Sequence, residues 1–118
     1  MYWNPIGFEC IWYPTSFELD DADLSRTNLT GANLTRDRLF DADLSEVEMS
    51  RADLSGADLS RTNLTRDRLF DADLSEVEMS RADLSGADLS RASLSRAGLI
   101  GADLTGVVGA DLTGAVLE

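Results

Sequence analysis

Residues 36–65 read RDRLF DADLS EVEMS RADLS GADLS RTNLT, and residues 66–95 read RDRLF DADLS EVEMS RADLS GADLS RASLS. The blocks differ only at Thr62/Ala92, Asn63/Ser93 and Thr65/Ser95, so 27 of 30 positions are identical. Each block is itself six units of five residues. Outward from it in both directions, Leu or Met recurs at every fifth position from Leu19 to Leu104 without a slip. A small residue stands two places before most of these centres, as at Ala22, Ala42, Ala52, Ala72 and Ala102, with Asp or Asn commonly between. An α-helix advances about 100° per residue and would scatter every fifth leucine around its axis. A short strand explains the spacing, because in Ala-Asp-Leu the first and third side chains share one face and the middle one points away. Ser-Gly, Ser-Arg or Thr-Gly then supplies a polar corner. Strand and corner repeated in one sense coil into a solenoid with Leu and Ala inside and parallel hydrogen bonds between coils.

The units DADLS, GANLT, RADLS and GADLS, written A-[DN]-L-[ST]-x, resemble the pentapeptide-repeat family over about residues 16–118. That resemblance implies an all-β fold, a right-handed quadrilateral parallel β-helix with four pentapeptides per coil and about five coils. It also implies that each central Leu and the small residue two before it point inward. Leu24, Leu44, Leu64, Leu84 and Leu104 are then one core column. Six pentapeptides are one and a half coils, so the second block repeats on the opposite side whatever the first displays. The expected divisions are an aromatic N-terminal cap over 1–15, the β-helix over 16–105 and a phase-shifted coil over 106–118. The cap segment carries Tyr2, Trp3, Phe8, Trp12 and Tyr13, with Phe17 just beyond, and prolines at 5 and 14 that block strand edges. It reads as a lid, or more sharply as an aromatic pocket. Past Leu104 three residues are surplus to the five-residue phase, giving either a bulged corner or a frayed last coil.

Composition narrows the function. In 118 residues there are 22 acids and 10 bases, a net charge of −12, against 43% apolar residues. The chain folds, and its charge repels phosphate backbones and anionic lipid, so neither direct nucleic-acid nor membrane binding is expected. All the bases are Arg, with neither Lys nor His, which removes the usual general base and the usual metal ligand. Ser and Asp are plentiful only as parts of the repeat, no catalytic constellation stands out, and no cofactor or metal is expected. Cys10 is the only cysteine, which excludes an internal disulfide, and the N-terminus lacks the basic start of a signal peptide, so a cytoplasmic location is expected.

With twenty residues per coil, i and i+20 are vertical neighbours. Arg38 then falls between Glu18 and Asp58, Arg68 between Glu48 and Asp88, Glu46 between Arg26 and Arg66, and Asp71 between Arg51 and Arg91. Two columns escape neutralisation: Asp23, Asp43, Asn63, Asp83 and Asp103 on one side, and Asn33, Asp53, Asp73 and Ser93 opposite. Asp or Asn at this place is commonly part of the repeat itself; the functional reading is a row of carboxylates that imitates a phosphate backbone. A flat ladder lacks the encircling oxygens that calcium requires. Phe40 and Phe70 stand where Ser or Thr points outward, either as exposed interface anchors or folded over an Arg stem. Asp37 and Asp67 fall where Ala should point inward, which demands a local kink that lets them cap backbone amides, or a strained site.

The partner surface expected from these residues is Asp23, Asp43, Asp83, Asp103, Phe40 and Phe70. The leading expectation is a non-enzymatic acidic scaffold for protein–protein interaction. The alternative, drawn from the family, is a DNA mimic that binds bacterial gyrase, a type II topoisomerase, and protects it from quinolones. A rod of about 25 Å would need a homodimer, stacked through the C-terminal coil, to imitate a useful length of duplex. Outward hydroxyls are mostly Ser flanked by charge, which speaks against an ice-binding face.

Overall fold

The computed structural model describes the backbone of Tyr2–Trp3 and Cys10–Ile11 and the whole of residues 17–118. Parallel bridges set the coil length. Fifteen of the sixteen join residue i to i+20, as in Asp23↔Asp43↔Asn63↔Asp83↔Asp103. The chain is therefore a four-sided, right-handed parallel β-helix with five residues to a side. Each side is too short for a long ladder. The central Leu N–H donates to the next coil, as Leu24 does to the Asp43 carbonyl at 2.8 Å, and the middle residue donates back, as Asp43 does to Ala22 at 2.9 Å.

Every described corner except the one at Gly109 is a four-residue turn closed by a hydrogen bond from the third residue after the Leu, as from the Ala22 N–H to the Leu19 carbonyl at 3.1 Å. Its third residue adopts positive φ, the type II pattern that favours glycine. Thirteen corners nevertheless carry Asp, Glu or Arg there, with φ between 57° and 62°. Each costs on the order of 1 kcal/mol. The same twist aims the corner N–H along the axis, and Arg26, for example, donates to the Ser45 carbonyl at 3.0 Å.

Inside, Leu44, Leu64 and Leu84 are fully buried with Met49, Leu54 and Leu69, while Ala42, Ala57 and Ala87 fill the alternate inward positions. Leu24 and Leu104, at the two ends of their column, are only half-buried against that core. Thr62 occupies an alanine position and keeps its hydroxyl satisfied by donating to the Leu59 carbonyl at 2.6 Å. The aromatic cap falls on residues outside those described, apart from two short strands, β1 (Tyr2–Trp3) and β2 (Cys10–Ile11), which pair antiparallel as Tyr2↔Ile11 and Trp3↔Cys10.

The last coil resolves the phase break differently from either expectation. Val108 still pairs with Asp88, twenty residues earlier, but Val116 pairs with Gly98, only eighteen earlier. The corner around Gly109 is thus two residues short, neither bulged nor frayed, and Val116 donates to the Ala97 carbonyl at 2.8 Å. The step from Leu104 to Leu112 is eight residues, where two sides elsewhere take ten. Gly109 makes this possible: its φ is +69°, and a Cβ there would lie 2.8 Å from Ser90 Cα.

No kink accompanies the two inward aspartates. Arg36 and Arg66 turn like every other corner, and the ladder passes through both sites, with Asp58 and Asp88 donating to the Asp37 and Asp67 carbonyls at 2.9 Å. Both side chains lie in the core and cap an amide of the preceding coil. The Phe17 N–H donates to Asp37 Oδ1 at 2.7 Å, and the Val47 N–H donates to Asp67 Oδ1 at 2.9 Å.

Candidate functional surface

The outward middle residues are held by their own strand. In Asp/Asn-Leu-Ser/Thr the side-chain oxygen accepts the N–H two residues on, the Asx geometry that those residue types favour. Asp23 accepts from Ser25 at 3.0 Å, Asp43 from Ser45 at 3.0 Å, Asp83 from Ser85 at 2.9 Å and Asp103 from Thr105 at 2.9 Å. Asn28, Asn33 and Asn63 make the same bond. The spacing of Asp or Asn two before Ser or Thr was the available signal for these caps, and the column reading overlooked it. Hydrogen bonds from Ser25 and Thr105 hold the carboxyls of Asp23 and Asp103 below the usual carboxylate range; Asp53, Asp88 and Asp111 are lowered the same way by Ser55, Ser90 and Thr113.

The four aspartates of the candidate surface do share one column, interrupted by the neutral Asn63, and Asn33, Asp53, Asp73 and Ser93 line the opposite side. Like charges one coil apart, about 4.8 Å, repel. The Asx bonds anchor each carboxylate against that repulsion. The result is a column of four fixed carboxylates on one side of the prism and a pair, Asp53 and Asp73, on the opposite side.

The arginine ladder is more one-sided than the column map implies. Arg38 reaches Glu18 at 3.4 Å and Asp20 at 2.6 Å, and Arg68 reaches Glu48 at 2.8 Å; neither forms an ion pair with Asp58 or Asp88. Those two carboxylates are turned instead to the N–H groups of Ser60 and Ser90. Glu46 does lie between Arg26 at 3.5 Å and Arg66 at 3.9 Å, whereas Asp71 pairs with Arg91 at 3.4 Å and not with Arg51. Arg96 has Glu76 alone, at 3.5 Å. Reversing Arg38 to Glu should therefore lower stability by about 1 kcal/mol and reversing Arg96 to Glu by only a few tenths, since exposed pairs are individually weak. Denaturant melts check this, and equal losses would argue against the pairing.

Phe40 and Phe70 are not exposed anchors. Both rings are half-buried, with the Arg61 guanidinium 5.3 Å from the Phe40 centroid and the Arg91 guanidinium 5.4 Å from that of Phe70. The covering arginines come from the next coil, at i+21, where Asp41 and Asp71 also pair with them at 3.5 and 3.4 Å. The rings are thus partly covered by arginine, and the charged part of the candidate surface is the carboxylate columns. Among the described residues no cluster of His, Cys, Asp or Glu could hold a metal ion, and no helix is long and apolar enough to cross a membrane. The shallow surface depressions are lined by charged and hydroxyl side chains, as between Glu46, Glu48, Arg66 and Arg68.

A family model for pentapeptide repeats matches eight copies over residues 18–36, 38–66 and 68–106. The chain belongs to the pentapeptide-repeat family. Among solved structures it is similar to the pentapeptide repeat protein Rfr23 from the cyanobacterium Cyanothece 51142, at 29% identity over 98% of this chain and 71% of that one, with a TM-score of 0.65. It is also similar to alr5209, a pentapeptide repeat protein from Nostoc Pcc 7120, at 36% identity over 73% of this chain and 84% of that one, TM-score 0.63. QnrB1, a plasmid-mediated fluoroquinolone resistance protein, matches at 22% identity over 85% and 64% of the two chains with a TM-score of 0.42, too loose a likeness to bear on a partner. No curated protein matches.

Proposed function

We propose that the chain is a non-enzymatic scaffold whose rows of fixed carboxylates dock a basic protein surface in the cytoplasm. The observation that carries this is the column Asp23, Asp43, Asp83 and Asp103, with every carboxylate pinned to a backbone N–H and no arginine neutralising it. Pinned charges lose little freedom on binding, so a partner gains their attraction without ordering them first. Capture from bacterial lysate on immobilised protein, washed at rising salt, tests it. A discrete protein bound at low salt and released at moderate salt is expected, because exposed charges are screened beyond about 10 Å at 0.1 M. Retention that ignores salt would contradict the reading.

A second reading is supported by carboxylates on opposite sides of the prism, four in one column and Asp53 and Asp73 in the other, as the two phosphate strands lie on opposite sides of a duplex. A DNA mimic of this kind, paired end to end with a second copy, would occupy the DNA-binding surface of gyrase. Supercoiling assays with purified gyrase should then show inhibition or quinolone protection at micromolar protein, weakening as salt rises. Absence of any effect would leave the scaffold alone.

A further inference from the structure

Asp67 is 1% exposed and sits among inward positions otherwise filled by Val47 below it and Ala87 above. One oxygen, Oδ1, takes the Val47 N–H; the other, Oδ2, is buried with no hydrogen-bond partner. Among the described residues no cation compensates the site. The flanking Arg66 and Arg68 point outward to Glu46 and Glu48 and are largely exposed, and Asp88 above is engaged by Ser90. The charged group that acts on Asp67 is Asp43, and it repels. An ionised carboxylate with an empty lone-pair side in an apolar core is strongly disfavoured over the neutral acid.

We propose that Asp67 is a proton-linked switch in the middle of the rod, held in the core as a neutral carboxylic acid whose ionisation loosens the stacking of its coil on the one carrying Val47. Burial pushes its pKa from the ordinary 3.8 up to about 8, against the lowering effect of the Val47 hydrogen bond. Between those values the folded chain holds a proton that the unfolded chain has lost. Stability therefore falls as pH rises through that window and levels off above about 8. The chain has no His and no Lys to add their own titration to this window.

Two measurements decide it. Carbon-13 labelling of the aspartate side chains, with Asp67 assigned by its loss in the Asp67→Asn spectrum, should show one carboxyl still protonated at pH 7 and titrating near pH 8. The melting temperature of the unaltered chain should fall between pH 5 and pH 8. Asp67→Ala, which restores the residue found at Ala57 and Ala87, should flatten that slope and melt higher at pH 8 by roughly 5 °C or more. If the variants do not fold, through-bond assignment and titration of the unaltered chain decide the matter. An Asp67 carboxyl that titrates below pH 5, or a variant with the same slope as the unaltered chain, would overturn the proposal.

Discussion

Replacing Leu64 by Asp is expected to leave the middle coils unfolded at room temperature. Leu64 is fully buried at the centre of the column between Leu44 and Leu84, so the change removes a core side chain and puts an unpaired charge in its place. Losing a buried Leu costs about 2–5 kcal/mol before the charge is counted, comparable to the stability of a small domain. The position is the control as well. Leu104→Asp, at the half-buried end of the column, should cost much less, because the carboxylate there can reach water. Circular dichroism and size-exclusion chromatography report both, and a Leu64→Asp chain that melts like the unaltered one would show that the inward column is wrong.

The second large effect is expected at Gly109. A Cβ there meets Ser90 Cα at 2.8 Å and Cβ at 2.9 Å, and the backbone stands at φ +69°. Neither the Ser90 backbone nor the shortened corner can give way cheaply. Gly109→Ala should cost about 2 kcal/mol or more and detach the last coil. Amide exchange reads it directly, since Arg96 and Leu99 donate to the Gly114 and Val116 carbonyls at 2.9 and 2.8 Å and would lose that protection. Gly31→Ala is the comparison, with similar φ and nothing within 4 Å of the added Cβ, so it bears the backbone penalty alone. Equal losses at the two glycines would contradict the tight corner.

The coil and its inward columns were legible because a five-residue period has one reading as short strands, and because acid–base matches recur at i+20. The residues that misled did so for local reasons. Phe40 and Phe70 are covered from i+21, across a corner, by Arg61 and Arg91, which a map of i and i+20 does not place beside them. An i+20 map offers Asp58 and Asp88 as partners of Arg38 and Arg68, yet their own strands always present the N–H two residues on. Eight residues from Leu104 to Leu112 fit five plus three as well as ten minus two, and only the pairing of Val116 with Gly98 decides between them. Asp37 and Asp67 do break the inward apolar column, both being buried. The kink expected of them is absent because a carboxylate is small enough to fit an alanine position once an amide of the adjacent coil caps it.

On the proposed function, the Asp column, and not the fold beneath it, meets the partner. The direct measurement compares the unaltered chain with one carrying Asp23→Asn, Asp43→Asn, Asp83→Asn and Asp103→Asn. Asn28, Asn33 and Asn63 already make the same Asx bond, so the variant should melt at or slightly above the temperature of the unaltered chain while losing four charges from one side. Partner capture at low salt should fall at least tenfold. A variant that is equally folded and captures its partner undiminished would contradict the claim.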